Sequence, residues 1–97
     1  MLFRSIMAAV DIQGLGAMRA LKAHGIRVPD QVRLMSMTGH SIGALLETAM
    51  TSLEIPAREM GEKALRMILD EIEADAGAKP SAQHLVFPAS LVEREST

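Results

Sequence analysis

Ile6-Met7-Ala8-Ala9-Val10 is a run of five apolar residues, and the hydrophobic period changes immediately after it. A run this short reads as a buried strand. Between residues 12 and 23, Ile12, Leu15, Met18 and Leu21 recur on one stripe with Ala17 and Ala20 beside it. That spacing predicts an amphipathic helix, with Asp11 placed to cap its free amides. His24-Gly25 ends it, with Gly25 in the left-handed region, and Pro29-Asp30 makes the following turn. The same switch then recurs. Residues 32–37 predict a second strand, 41–49 at most two helical turns, and 52–55 a third strand. A long helix opened by Pro56 at its first position runs to about Ala74, and residues 83–87 form a last strand. A helix between two strands demands a crossover, so the expected class is α/β: a mainly parallel sheet flanked by helices.

A chain of 97 residues makes one domain, here residues 1–97. It buries only about 60–65% of its unfolded surface, so its core is thin. A sheet of so few strands needs company, which a partner subunit could supply. The formal charge of −2 with no basic block argues against nucleic-acid contact by this stretch alone. The sequence has no cysteine, which fits a reducing cytoplasm. The apolar run is too short for a signal peptide or a membrane span. Aromatic residues are almost lacking, with Phe3 and Phe87 the two present. Eight methionines fill gaps in their place. On the long helix, Met60, Ala64, Ile68 and Ile72 mark the apolar side, with Ala57, Gly61, Leu65 and Leu69 near them. Glu59 and Lys63, and Glu62 and Arg66, are spaced for ion pairs on a solvated side. The stretch from residue 75 to 81, with Gly77 and Pro80, reads as a loop.

One motif invites a catalytic reading. Gly39-His40-Ser41-Ile42-Gly43 follows a strand and precedes a short helix, the arrangement of a nucleophile elbow. A small serine hydrolase would use Ser41 with His84 as base. The remainder argues against it. His84 falls within an expected strand, no oxyanion segment precedes Ser41, and the following helix is short. The simpler reading gives Gly39 and Gly43 to a turn and makes Ser41 a helix cap. No catalytic residue is assigned. His24, His40 and His84 lie too far apart for metal-ligand spacing, so neither metal nor cofactor is expected. Gly14 and Gly16 do not form a phosphate loop; they permit close packing of their helix.

Three stretches together resemble the C-terminal part of the LacI/GalR family of bacterial transcription repressors. The first runs Ala9-Val10-Asp11-Ile12-Gln13-Gly14-Leu15-Gly16 and on through Val28-Pro29-Asp30. The second is Thr51-Ser52-Leu53-Glu54-Ile55-Pro56, with Met60-Gly61 and Ala64 after it. The third is Leu85-Val86-Phe87-Pro88 through Leu91-Val92-Glu93-Arg94-Glu95-Ser96. All three occur in family order and spacing.

The resemblance implies a partial periplasmic-binding-protein-like effector lobe without catalysis. It also implies that no helix-turn-helix lies within these residues, so operator DNA would be met only through a missing N-terminal domain. Val10, Thr38 and Ile55 fall where the family carries its cleft asparagine, aspartate and glutamine. Asp11 stands beside them, with capping outweighing ligand contact. Losing those polar groups argues against a neutral galactoside-like effector held in the usual way; a sugar or a sugar phosphate are the classes left open. Leu15 and Arg19, with Ala44, Leu45 and Leu46, align with positions facing the partner in a homodimer. The expected function is therefore an effector-binding and dimerisation fragment of a sugar-responsive repressor. The serine hydrolase and a truncated interaction module stand as alternatives.

Overall fold

In a computed structural model the described residues are 4–39, 41–74 and 82–97. The chain divides into two compact units, one of Met1–Ile55 with Ala89–Thr97, the other of Pro56–Pro88.

The first unit holds the sheet. Strand β1 (Ser5–Val10) leads directly into helix α1 (Asp11–Ala23), and β2 (Arg33–Gly39) follows the turn at Pro29. A single 3₁₀ turn (Ser41–Leu45) precedes β3 (Thr51–Glu54), and β4 (Ser90–Val92) completes the sheet in the order β1-β2-β3-β4. β1, β2 and β3 are parallel, as the crossovers require, and β4 is antiparallel to β3. The α/β expectation is met.

Helix α1 ends as its sequence dictates. Gly25 takes φ +69°, and paired bonds run from Gly25 N–H to the Lys22 carbonyl and from Ile26 N–H to the Leu21 carbonyl. This is the double bond of a Schellman cap. Its start differs from expectation. Val10 is the N-cap residue and no side chain caps the helix; Asp11 is its first helical residue, is buried, and accepts the Ser36 hydroxyl. That bond fixes the rotation of α1. Gly14 lies on the buried side, where an added Cβ would meet the Met50 thioether at 2.5 Å. Ile12 is turned outward and is 77% exposed, contrary to its place in the expected apolar stripe. Gly16 meets nothing within 4 Å, so close packing belongs to Gly14 alone.

The hydrophobic core is small: Ala8, Val32, Leu34 and Met50 are buried. Full burial of Leu34 and Met50 stabilises the unit by about 1.5–3 kcal/mol each. The buried polar residues are Asp11, Ser36, Thr51, Ser52 and Ser96. Among the described residues none of these leaves a buried side-chain polar atom without a partner. β1 is not the wholly buried strand its composition predicts. It lies at the sheet edge, α1 covers it on one side, and Ala8 is its one buried residue. Met7 and Met37, which alternate away from the α1 side, are exposed.

The largest correction concerns the last strand. Residues 83–87 have no regular structure, and β4 instead comes from the tail expected to be irregular. Polar anchoring decides this. The Arg94 guanidinium donates to the Met50 carbonyl, the Ser52 hydroxyl and Glu54 Oε1, each at 2.8 Å. Ser96 Oγ accepts Thr51 N–H at 2.8 Å and donates to the Leu34 carbonyl. Backbone bonds add Ser96 N–H to Ala49 O and Leu34 N–H to Ser96 O. An apolar run cannot outbid a tail that satisfies so many buried strand groups.

The second unit contains helix α2 (Ala57–Glu73). Pro56 is its N-cap rather than its first helical residue, and its carbonyl accepts the Met60 amide at 2.9 Å. No residue of α2 is buried; Leu65, Ile68 and Ile72 of its apolar side are exposed. Among the described residues the ion pair on α2 is Arg58–Glu62 at 2.9 Å, not the expected Glu59–Lys63 and Glu62–Arg66 pairs. The expected loop at 75–81 lies outside the described residues.

Candidate functional site

Parallel strands point their C-terminal ends the same way. Here that edge is built by register: Val10 pairs with Thr38 across β1 and β2, and Gly39 pairs with Glu54 across β2 and β3. Ile55 follows directly on Glu54. Three of the four expected cleft positions, Val10, Thr38 and Ile55, are thus brought to one edge. Open parallel α/β sheets bind ligands at such an edge. Asp11 adjoins it but is committed to Ser36. The Thr38 hydroxyl donates to the Ala9 carbonyl at 2.7 Å, so its proton is used and its lone pairs remain. The edge offers apolar side chains at Val10 and Ile55.

The glycines of the elbow-like motif have a packing role. Neither Gly39 nor Gly43 has positive φ, so the expected turn requirement is absent. β2 gains one residue on β3 between Ser36 and Gly39, and this irregularity brings Gly39 against Ser52. A Cβ on Gly39 would overlap the Ser52 side chain. One on Gly43 would lie 3.1 Å from the Met50 carbonyl and 3.2 Å from Arg94 Nη1. Ser41 opens a five-residue 3₁₀ turn rather than a long helix, and its side chain lies outside the described part of the molecule, as does His40.

The expected partner-facing residues lie in the same unit. Leu15, Arg19 and Lys22 fall at i, i+4 and i+7 on α1 and share one face. Lys22 Nζ bonds Glu47 Oε2 at 2.6 Å, which ties that face to the segment after Leu45 and Leu46. The hydrogen bond and charge of Lys22 hold the Glu47 carboxyl below the usual carboxylate range. Both side chains are exposed, so the pair adds little stability. Leu45 is 83% exposed; Arg19 and Ala44 are exposed, and Leu15 and Leu46 are half-buried.

Residues 4–97 match a family model described as a periplasmic binding protein-like domain. The chain belongs to that family. Among relatives of this periplasmic binding protein-like domain is the transcriptional regulator CelR of Thermobifida fusca. It is 34% identical over 92 residues, which are 95% of this chain and 26% of CelR. The ribose operon repressor of Halalkalibacterium halodurans is 31% identical over 93 residues, covering 95% and 27%. The solved CelR–cellobiose complex superposes with a TM-score of 0.85 at 33% identity, covering 96% of this chain and 28% of that one. A LacI-family regulator from Arthrobacter sp. FB24 in complex with lactose gives 0.81 at 28% identity, covering 98% and 35%. The LacI/GalR resemblance is borne out. These relatives are transcriptional regulators, not hydrolases, and the serine reading of Ser41 is set aside. The periplasmic binding protein-like domain spans about a quarter of the length of its curated relatives. Among the described residues no helix is long and apolar enough to cross a membrane.

Sequence reasoning missed the structural weight of Arg94 and Ser96, which entered only as part of the closing motif. A usable signal was present: Arg94 and Ser96 alternate with Glu93 and Glu95, the period of a strand with one inward side.

Proposed function

We propose that residues 1–97 supply part of one effector-binding lobe and a homodimer contact in a sugar-responsive transcription repressor. Operator DNA is then engaged by a region outside these residues, and the protein acts in the cytoplasm. The observation that supports this reading is the register pairing Val10 with Thr38 and Gly39 with Glu54, with Ile55 next in the chain. Their neighbour Asp11 braces the edge through Ser36 instead of meeting the ligand. Contact with an effector from this side is apolar at Val10 and Ile55 and hydrogen-bond-accepting at Thr38.

The homodimer contact is formed by Leu15, Arg19, Ala44, Leu45 and Leu46. It is supported by the Lys22–Glu47 pair, which brings the α1 face beside the segment that follows Leu46, and by an apolar residue as open as Leu45. A two-fold contact sets these residues against their own copies. Sedimentation equilibrium tests it. The chain is expected to dimerise at high micromolar concentration, and Leu45→Asp and Leu46→Asp should each raise the dissociation constant at least about tenfold, or ~1.4 kcal/mol. A chain that stays monomeric throughout, or variants that sediment like the parent, would contradict the proposed contact.

A further inference from the structure

At the other end of the same strands lies a second, polar concavity of about 460 Å³, lined among others by Arg4, Ser5, Gln31 and Arg33. Ser5 pairs with Arg33 across β1 and β2, and Arg33 N–H donates to the Arg4 carbonyl at 2.8 Å. This pairing brings the backbones of Arg4 and Arg33 together, and both residues border the concavity. Among the described residues neither guanidinium has an ion pair or a hydrogen-bonded side chain. The one carboxylate side chain in the lining, Asp30, faces Arg27 at 3.6 Å. Gln31 accepts the Arg27 amide through Oε1 at 2.8 Å, which leaves its NH₂ group as a donor. Thr97 also lines the concavity, and its hydroxyl is engaged with Thr51. The site thus gathers two cations, an amide donor and the Ser5 hydroxyl, with Asp30 and the terminal residue Thr97 on the same rim.

We propose that this concavity binds a small phosphate-type oxyanion. Guanidinium forks match the spacing of phosphate oxygens and bond them in pairs. The concavity is separate from the effector edge. Arg33 and Thr38 stand five residues apart on β2, roughly 17 Å at strand rise. Occupancy here is therefore independent of the cleft reading above.

The test titrates inorganic phosphate and then pyrophosphate into the ¹⁵N-labelled chain at constant ionic strength. Saturable amide shifts are expected at Ser5, Gln31 and Arg33, with pyrophosphate the tighter of the two. Arg4→Ala and Arg33→Ala should each weaken binding about tenfold, and Arg33→Lys by less, since lysine keeps the charge and loses the fork. Both arginines are exposed, so the fold should survive each change, as an unchanged set of remote amide shifts would verify. Linear shifts without saturation, shifts spread over the lysines, or binding indifferent to Arg4→Ala and Arg33→Ala would overturn the proposal.

Discussion

Arg94→Ala is expected to destabilise the sheet unit by about 3 kcal/mol, a large share of what a domain of this size holds. The side chain is 13% exposed and carries three bonds at once, to Met50 O, Ser52 Oγ and Glu54 Oε1. Truncation leaves the carbonyl of buried Met50 and the hydroxyl of buried Ser52 short of a donor, and the Glu54 carboxylate without its cation. The loss exceeds that of a surface pair because water cannot replace all three partners. Arg94→Lys should recover part of it, as one ammonium cannot reach three acceptors placed for a planar fork. Urea unfolding measures both: the midpoint should fall in the order parent, lysine, alanine, with little change in slope. A loss below about 1 kcal/mol for the alanine variant would mean that the tail only decorates the sheet.

Gly39→Ala should cost about as much, near 3 kcal/mol, by a different mechanism. The new methyl overlaps the Ser52 side chain between two paired strands, and both neighbours are buried. Neither strand can move aside without breaking the Gly39↔Glu54 register or the Arg94 bonds that hold β3. Ser52→Gly in the same chain removes the obstacle and should restore part of the loss, even though it also removes an Arg94 partner. A double-mutant cycle should therefore show coupling of more than about 1 kcal/mol. Additive losses would show that Gly39 is required for something other than space. By contrast, Gly16→Ala meets open volume, so overlap is specific to Gly39 and Gly14.

These two positions also show where the sequence was legible and where it was not. The order of elements could be read because strand and helix periods differ, and α1 ended where Gly25 said it should. Val10, Thr38 and Ile55 could be singled out only through the family resemblance, and each lies at or next to the C-terminal end of a strand. The buried polar layer could not be read: Ser36, Ser52 and Ser96 look like surface residues until a partner is found across 25 to 62 residues of chain. Residues 83–87 misled for the same reason. Leu85-Val86-Phe87 has strand composition, yet the place beside β3 goes to Ser90–Val92, whose following residues satisfy groups of β2 and β3. Ile12 failed because a hydrogen bond between Asp11 and Ser36, rather than the apolar stripe, sets the rotation of α1.

The central claim is that these residues form a slab of a periplasmic binding protein-like lobe in which β1 to β3 run parallel and end at the proposed effector edge. Strand pairing measured by nuclear Overhauser contacts in a ¹³C,¹⁵N-labelled sample tests it most directly. The account predicts parallel contacts of Ile6 with Leu34 and Val10 with Thr38, and antiparallel contacts of Leu53 with Leu91. Antiparallel contacts between β1 and β2, or residues 83–87 paired with β3 in place of β4, would contradict it.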